Sequence, residues 1–202
     1  MQVSIRNYTG AGNRIGSLAA LIRHGLVPRL GQVHGFRGFC AFASEDGHLV
    51  SVTICANRDS RARAEEEAGA WAMAELGEQA AGQAELIAGE TLLHEVAAVQ
   101  RDGGPAMFVT LRVFEGLGPK EEVLPRVREH VFLTITGAAG FRGYYAFLDE
   151  QRPSRGVSVS LFDSRSHAME ANARVVSVMR DRQIAPQPPR LLVGPAAVVA
   201  AA

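Results

Sequence analysis

Two arginines stand out because they lie in strand-like segments in which polar and aliphatic residues alternate. Arg6 shares its side of Gln2–Tyr8 with hydroxyl-bearing residues, and Arg112 does the same in Phe108–Phe114. A guanidinium that is buried needs a carboxylate, carbonyl oxygens or an anionic ligand, because an unpaired buried charge is costly. Either arginine could therefore orient the carboxylate, phenolate or enolate of a substrate. The structural alternative, an ion pair or hydrogen bonds that serve only the fold, stays open.

Tyr144 is the third candidate catalytic residue, because its hydroxyl could orient a substrate or donate a proton. We predict that Asn7, Tyr8, Trp71 and Tyr145 line the pocket around such a substrate. Each also has an ordinary structural interpretation. Aromatic residues favour strands, and a tryptophan at helical spacing commonly belongs to a core.

Other kinds of site leave little trace in the sequence. The six histidines are scattered, with no pair at the spacing of metal ligands, so we predict no metal and no cofactor. Residues 10–16 form a glycine-rich turn, and such a turn can place backbone N–H groups around a pyrophosphate. Its spacing is one residue longer than the dinucleotide-binding fingerprint, and a hairpin follows instead of a parallel strand. A nucleotide site is therefore disfavoured.

The chain contains an internal duplication. Residues 3–10 return as 109–116, residues 35–42 as 140–147, and residues 50–52 as 157–159, at offsets of 106, 105 and 107. The second of these blocks is identical at six of eight positions. A repeat of about 105 residues is a whole small domain, since solenoid units are only ~20–50 residues long. We therefore predict domains at residues 1–99 and 106–202, joined by a linker at 100–105.

Each half has the pattern strand, helix, strand, strand, helix, strand. The predicted strands are residues 2–8, 36–44, 48–55 and 84–96, then 108–114, 141–148, 156–162 and 190–199. The predicted helices are residues 14–26, 60–78, 119–132 and 164–182. A βαββαβ order gives a ferredoxin-like unit, an antiparallel four-stranded sheet with both helices on one face.

The bare faces of two such sheets can cover each other if the sheets close into a barrel, which also removes their edges. We therefore predict an α+β fold in which two tandem ferredoxin-like units form a pseudo-dimeric α+β barrel. We expect Val3 and Ile5 to face the helices. Arg6, Arg112 and the strand hydroxyls, among them Ser158, would then point into the barrel.

Three segments of the second half resemble a known group. Gly-Phe-Arg-Gly-Tyr-Tyr-Ala-Phe at 140–147, Val-Ser-Val-Ser-Leu-Phe-Asp-Ser-Arg at 157–165 and Ala-Met-Glu-Ala-Asn-Ala at 168–173 are similar to the antibiotic biosynthesis monooxygenase-like group of the dimeric α+β barrel superfamily. The first half shows a weaker version. The resemblance implies the barrel, with a pocket between sheet and helices or inside the barrel. It does not choose an activity, because the group includes cofactor-independent oxygenases of polyketide quinols, haem-degrading oxygenases and proteins without assigned activity.

The haem-degrading members resemble one another in an Asn on the first strand and in a Trp and a His near the second helix. Asn7 and Trp71 fall in suitable elements, but the next histidine after Trp71 is His94, on the closing strand. The second half has Val113 in place of Asn7 and has no tryptophan. Because haem needs an axial ligand presented to its iron, a haem-degrading function is less favoured.

Composition limits the partners. The 202 residues carry 21 basic and 21 acidic side chains, so no net field attracts nucleic acid or an anionic membrane. No apolar stretch reaches the length of a membrane span, and no signal peptide is visible. A turn near Asp46-Gly47 would place Cys40 opposite about Val52 and Cys55 opposite about Arg37, too far apart for a disulfide, so the two cysteines indicate buried thiols in a reducing compartment. We expect a cytoplasmic protein, either a monomeric pseudo-dimer or a homodimer of tandem chains.

The leading functional hypothesis is a small-molecule pocket that resembles those of cofactor-independent monooxygenases and acts on aromatic, quinol-type substrates. The alternative is a non-catalytic ligand-binding or interaction module with a packed barrel. An open cavity near the arginines would favour the first hypothesis, and a filled interior with both arginines paired to acids would favour the second.

Overall fold

The computed structural model describes residues 1–77, 84–97 and 107–201. Its eight strands are β1 Gln2–Tyr8, β2 Phe36–Ala43, β3 Leu49–Cys55, β4 Glu85–Val96, β5 Phe108–Phe114, β6 Phe141–Leu148, β7 Gly156–Phe162 and β8 Arg190–Ala201. Its helices are α1 Ile15–Leu21, α2 Val27–Gly31, α3 Arg58–Leu76, α4 Lys120–Arg126, α5 Leu133–Thr136 and α6 Arg165–Asp181. Every strand was predicted to within two residues at each end, because alternation of side chains marks strands directly.

The first helical segment of each repeat is longer than predicted and contains a π-helical stretch. This stretch is Ile22–Leu26 between α1 and α2, and Val127–Phe132 between α4 and α5. π-helical stretches are rare in proteins, but those that occur are often found at functional sites. The second helices begin at ordinary caps: the Asn57 side chain accepts a hydrogen bond from the Ser60 backbone N–H at 2.9 Å, and Ser164 serves α6 in the same way.

The strands are hydrogen-bonded in the order β1-β3-β2-β8-β5-β7-β6-β4, and every pair is antiparallel. Because β4 also pairs with β1, the order closes on itself. The α+β barrel predicted from two ferredoxin-like repeats is therefore confirmed.

The chain divides into two structural units, which are described separately below. Unit 1 comprises the described residues of 1–90 together with 196–201, and unit 2 comprises those of 91–195. The units coincide with the two sequence repeats except at β4 and β8, each of which contributes residues to both. The predicted linker, residues 100–105, lies outside the described residues.

The two cysteines lie on the hairpin of unit 1, within one residue of the register that the sequence predicted. Cys40 lies opposite Val52 and Cys55 lies opposite Phe36, and both thiols are free and buried. Burial raises the pKa of Cys40 to about 12. It also raises the pKa of Cys55 to about 11, with a further contribution from the nearby Glu65 carboxylate. Thiolates are the reactive form of cysteine, so both side chains are held in an unreactive state.

We therefore expect no fast thiol reaction in the folded protein at pH 8. A chromogenic disulfide reagent should titrate both cysteines only after denaturant is added, and the reaction in native buffer should follow the rate of unfolding. Rapid reaction of one thiol under native conditions would contradict the burial of Cys40 and Cys55.

None of the helices in the described part of the chain is both long and apolar enough to cross a membrane.

Candidate functional site

Unit 2 contains an apolar pocket between its sheet and its helices. The pocket holds about 540 Å3 of empty space, the part open to solvent included. All but three of its lining residues are apolar, and the exceptions are Lys120, Tyr144 and Ser158. Lys120 is exposed, whereas Tyr144 is 1% exposed. The pocket therefore combines apolar walls with one exposed ammonium group and two buried hydroxyl groups.

Tyr144 is the central polar group of this pocket. Burial raises the pKa of its phenol to about 12, although the nearby Arg112 charge and a hydrogen bond with Ser158 act in the opposite direction. At neutral pH the phenol is therefore protonated, and it acts as a hydrogen-bond donor and not as a base. Its ring packs against Phe132 of the π stretch, with the ring centroids 5.8 Å apart.

Arg112 is near enough to Tyr144 for its charge to act on the pKa of the phenol, and it is fully buried. Its Nε donates to Asn172 Oδ1 at 2.8 Å and its Nη1 donates to Ser160 Oγ at 2.9 Å, while Nη2 has no hydrogen-bond partner among the described residues. Burial lowers the pKa of the guanidinium to about 10, so it still carries its charge at neutral pH. Both partners are neutral, and the positive charge therefore remains available to stabilise an anion near the Tyr144 hydroxyl.

The prediction that the arginines point into the barrel was wrong. Arg112 contacts Asn172 on α6, and Arg6 donates from Nη2 to the Glu65 carbonyl on α3 at 2.6 Å, so both arginines lie on the helix side of their sheets. Val3 is on the opposite face and is completely buried. Because both faces of these strands are buried, alternation reveals that there are two faces but not which of them meets the helices.

Unit 1 contains the equivalent pocket, between its own sheet and helices. It holds about 340 Å3 of empty space, the part open to solvent included. Arg6, Tyr8 and Ser51 are its polar lining residues, and Trp71 on α3 forms part of the wall. Burial raises the pKa of the Tyr8 phenol, and the charge of Arg6 and its hydrogen bond to Tyr8 oppose this shift. Three residues singled out from the sequence thus meet in one site.

The two pockets contain one phenol each, but on different strands. Tyr8 on β1 corresponds to Phe114 in the second repeat, whereas Phe39 on β2 corresponds to Tyr144. Each pocket therefore keeps one tyrosine beside its arginine and one phenylalanine at the other position. The alignment of the sequence repeats already pairs these residues, and the structure adds that both members of each pair line the equivalent pockets.

Two of the predicted pocket residues do not line either pocket. Asn7 is buried and its side chain bridges two neighbours: Oδ1 lies 2.8 Å from His48 Nδ1, and Nδ2 donates to Glu85 Oε2 at 3.2 Å. Tyr145 is partly buried and its ring stacks on that of His94, with the centroids 6.4 Å apart. The structure gives both residues contacts within the fold.

The residues do not fit a haem site. No histidine is among the described residues that line either pocket. Asn7 is paired with His48, and His94 is stacked on Tyr145, so the Asn-Trp-His arrangement that the resemblance suggested is not assembled around Trp71.

Sequence reasoning missed Asn172, which positions the Arg112 guanidinium from 60 residues away. Its counterpart in the first repeat is Glu65, whose backbone carbonyl accepts from Arg6. Comparison of the two repeats could therefore have drawn attention to Asn172, because it is a neutral amide at the position where the first repeat has the acidic Glu65.

The glycine-rich turn has a structural role. The Gly12 backbone N–H donates to the Gly47 carbonyl oxygen at 2.9 Å, and that of Arg14 donates to the Ala11 carbonyl oxygen at 3.1 Å. A Cβ atom on Gly12 would lie 2.7 Å from the Gly47 carbonyl carbon, so only glycine allows this close approach. These amides are thus engaged within the fold, and the turn does not present them as a phosphate cradle.

By sequence, no family and no curated protein matches the chain. Solved structures do match it along nearly its whole length. A "Putative monooxygenase" from Fusobacterium nucleatum subsp. nucleatum is similar with a TM-score of 0.76 and 9% identity, over 99% of this chain and 94% of that chain. Another from Lactobacillus acidophilus has a TM-score of 0.73 and 9% identity, over 99% and 95%. An anthrone oxidase-like protein has a TM-score of 0.67 and 12% identity, over 99% and 92%.

At these identities the likeness shows the fold alone. The chain shares its closed α+β barrel fold with these proteins, and this is the fold that the two repeats predicted.

Proposed function

We propose that unit 2 binds a planar, acidic aromatic compound of the quinol or anthrone type and catalyses its oxygenation by O2 without a cofactor. The observation that carries this proposal is the apolar pocket in which the protonated Tyr144 hydroxyl is backed by the buried Arg112 charge. The similarity in fold to an anthrone oxidase-like protein supports the choice of substrate class. The compound's rings would lie against the apolar walls, with its oxygen atom at Tyr144.

The pocket suits a substrate that is acidic enough to ionise without a basic side chain of the protein. Tyr144, Ser158 and Lys120 are the polar residues of the lining, and the described lining residues include no carboxylate and no imidazole. The substrate must therefore ionise readily near neutral pH and release its proton to water at the open side. Tyr144 donates a hydrogen bond to the resulting phenolate or enolate, and the Arg112 charge stabilises the same anion.

The anion is the reductant of O2. For an anthrone-type substrate, the ring CH2 group loses both hydrogens and one oxygen atom of O2 forms the new C=O bond. The second oxygen atom leaves as water with those two hydrogens. The four electrons that O2 accepts come from the substrate, so the protein contributes orientation, charge stabilisation and exclusion of water.

Turnover of 1,8-dihydroxyanthrone tests the proposal, with spontaneous oxidation subtracted. We expect one O2 consumed per quinone formed, and 18O2 should label the new carbonyl. Tyr144→Phe should lower kcat by about a hundredfold with a smaller change in KM, because it removes a donor to the developing anion. The matched control is Tyr145→Phe, which changes the neighbouring phenol outside the pocket and should leave kcat within about twofold.

The alternative function is ligand binding without turnover, and the lack of a carboxylate and of an imidazole in the described lining favours it. Saturable binding with O2 consumption no faster than the spontaneous rate would establish a binding protein. The proposed site would be contradicted if the protein neither bound nor turned over the anthrone. Equal losses of kcat in the Tyr144 and Tyr145 variants would also contradict it.

A further inference from the structure

We propose that unit 1 holds a second ligand site with a different chemistry, which binds a small aromatic carboxylate through Arg6. This site is separate from the proposed oxygenation site in unit 2 and does not depend on it. Its polar end is a guanidinium that itself lines the cavity, whereas the corresponding Arg112 of unit 2 is fully buried and is not among the described lining residues of that pocket.

The charge of Arg6 faces the pocket without being cancelled by its hydrogen-bond acceptors. Its Nη2 donates to the Glu65 carbonyl oxygen at 2.6 Å, and it also hydrogen-bonds with the Tyr8 hydroxyl. Both acceptors are neutral, and the arginine is only partly buried. A guanidinium carries five N–H donors in a planar fork that matches a carboxylate, so donors remain for a ligand.

Two glycines leave space beside the Arg6 guanidinium and the Trp71 indole, the two groups that distinguish this pocket. A Cβ atom on Gly69 would lie 3.2 Å from Arg6 Nη2, and one on Gly25 would lie 3.2 Å from the Trp71 indole nitrogen. The second repeat has Val176 and His130 at these two positions. The absence of side chains at 25 and 69 thus allows the guanidinium and the indole to lie close against the helices of unit 1.

The remaining lining defines the rest of the ligand. Apart from Arg6, Tyr8 and Ser51, the wall consists of aliphatic and aromatic side chains, with Phe39 and Trp71 among them. Such a wall suits an apolar ring, because a hydrated inorganic anion would lose its water there without gaining enough donors. The empty space of this pocket, about 340 Å3, is smaller than the 540 Å3 in unit 2, so we choose a ligand with a single ring.

Trp71 is the only tryptophan of the chain, so fluorescence excited at wavelengths that tyrosine does not absorb reports on the indole of this pocket. Benzoate is the probe, and benzamide, with the same shape and no charge, is the matched control ligand. We expect a saturable change in Trp71 emission with benzoate and binding of benzamide at least about tenfold weaker. Calorimetry on the same samples detects any binding that the indole does not report.

Arg6→Gln should weaken benzoate binding about tenfold or more, and Arg6→Lys should restore part of it. The matched control is Arg37→Gln, at an exposed arginine on β2, and it should bind within about twofold of the wild type. Gly69→Ala is a second variant that keeps Arg6 but crowds its guanidinium, and it should also weaken binding. Circular dichroism establishes that each variant is folded.

The proposal is overturned if benzoate gives no binding by fluorescence or calorimetry up to about 10 mM, a limit set by the millimolar affinities expected of so small a ligand. Equal binding of benzamide, or undiminished binding by folded Arg6→Gln, would overturn it as well. None of these measurements depends on turnover of the anthrone in unit 2. Failure of the proposed oxygenation and failure of this site are therefore distinguishable.

Discussion

Arg112→Ala is expected to lower the free energy of unfolding by about 3–5 kcal/mol, among the largest losses that a single substitution in unit 2 can cause. The residue is completely buried, so truncation leaves a cavity. It also removes the donors for Asn172 Oδ1 and Ser160 Oγ, and an unsatisfied buried acceptor is expensive. Denaturation by guanidinium chloride, with the slope as well as the midpoint recorded, measures the loss.

A triple variant, Arg112→Met with Ser160→Ala and Asn172→Leu, separates stability from function. It replaces the whole hydrogen-bonded set by apolar side chains of similar volume, and such replacements are often neutral or stabilising. We expect its stability to lie within about 1–2 kcal/mol of the wild type. Binding and oxygenation of the anthrone should nevertheless be lost, because the positive charge near Tyr144 is gone. A triple variant that keeps wild-type turnover would show that Arg112 serves only the fold.

Gly140→Ala is expected to destabilise the protein by about 3 kcal/mol. Gly140 has a φ of +70°, and a Cβ atom there would lie 2.6 Å from Asp163 Cγ and would overlap Asp163 Oδ1 and His167 Nδ1. These two side-chain atoms are hydrogen-bonded to each other at 2.6 Å, and Arg142 Nη2 lies 3.5 Å from Asp163 Oδ2. The alanine methyl group would therefore destabilise the protein in two ways, by straining the backbone and by breaking the hydrogen bond and ion pair of Asp163.

The matched control is Gly10→Ala, since Gly10 has nearly the same φ of +74° but no atom within 4 Å of an added Cβ. It should cost only about 1 kcal/mol, the price of the backbone conformation alone. Thermal unfolding compares the two variants with the wild type. Equal losses would contradict the clash with the Asp163–His167 pair, and adding Asp163→Ala should remove most of the excess cost of Gly140→Ala.

The two pockets carry different polar groups although they lie at equivalent places in the two repeats. Both keep an arginine on the first strand and a single phenol, yet the phenol is on β1 in unit 1 and on β6 in unit 2. In unit 2 the phenol lines the cavity, whereas the arginine is fully buried and is not among the lining residues. In unit 1 the arginine itself lines the cavity. Small changes in which strand supplies the hydroxyl thus decide whether a pocket offers a neutral donor or a cation.

The sequence by itself determined the elements and their order. Strands were predicted because side chains that alternate with a period of two mark a pleated strand locally, and the duplication specified two βαββαβ units. The pairing of Cys40 with Val52 followed from the short turn of one hairpin. All of these properties depend on residues close together in the chain or on comparison of its two halves.

Only the tertiary structure decided which face of each strand carries the site. Both faces are buried, so the alternation around Arg6 and Arg112 is compatible with either orientation, and only the packing of α3 and α6 settles it. Asn172 meets Arg112 across 60 residues, and Tyr145 is turned to His94 while its neighbour Tyr144 lines the pocket. Such contacts depend on how whole elements pack, and no local pattern in the sequence encodes the distance between them.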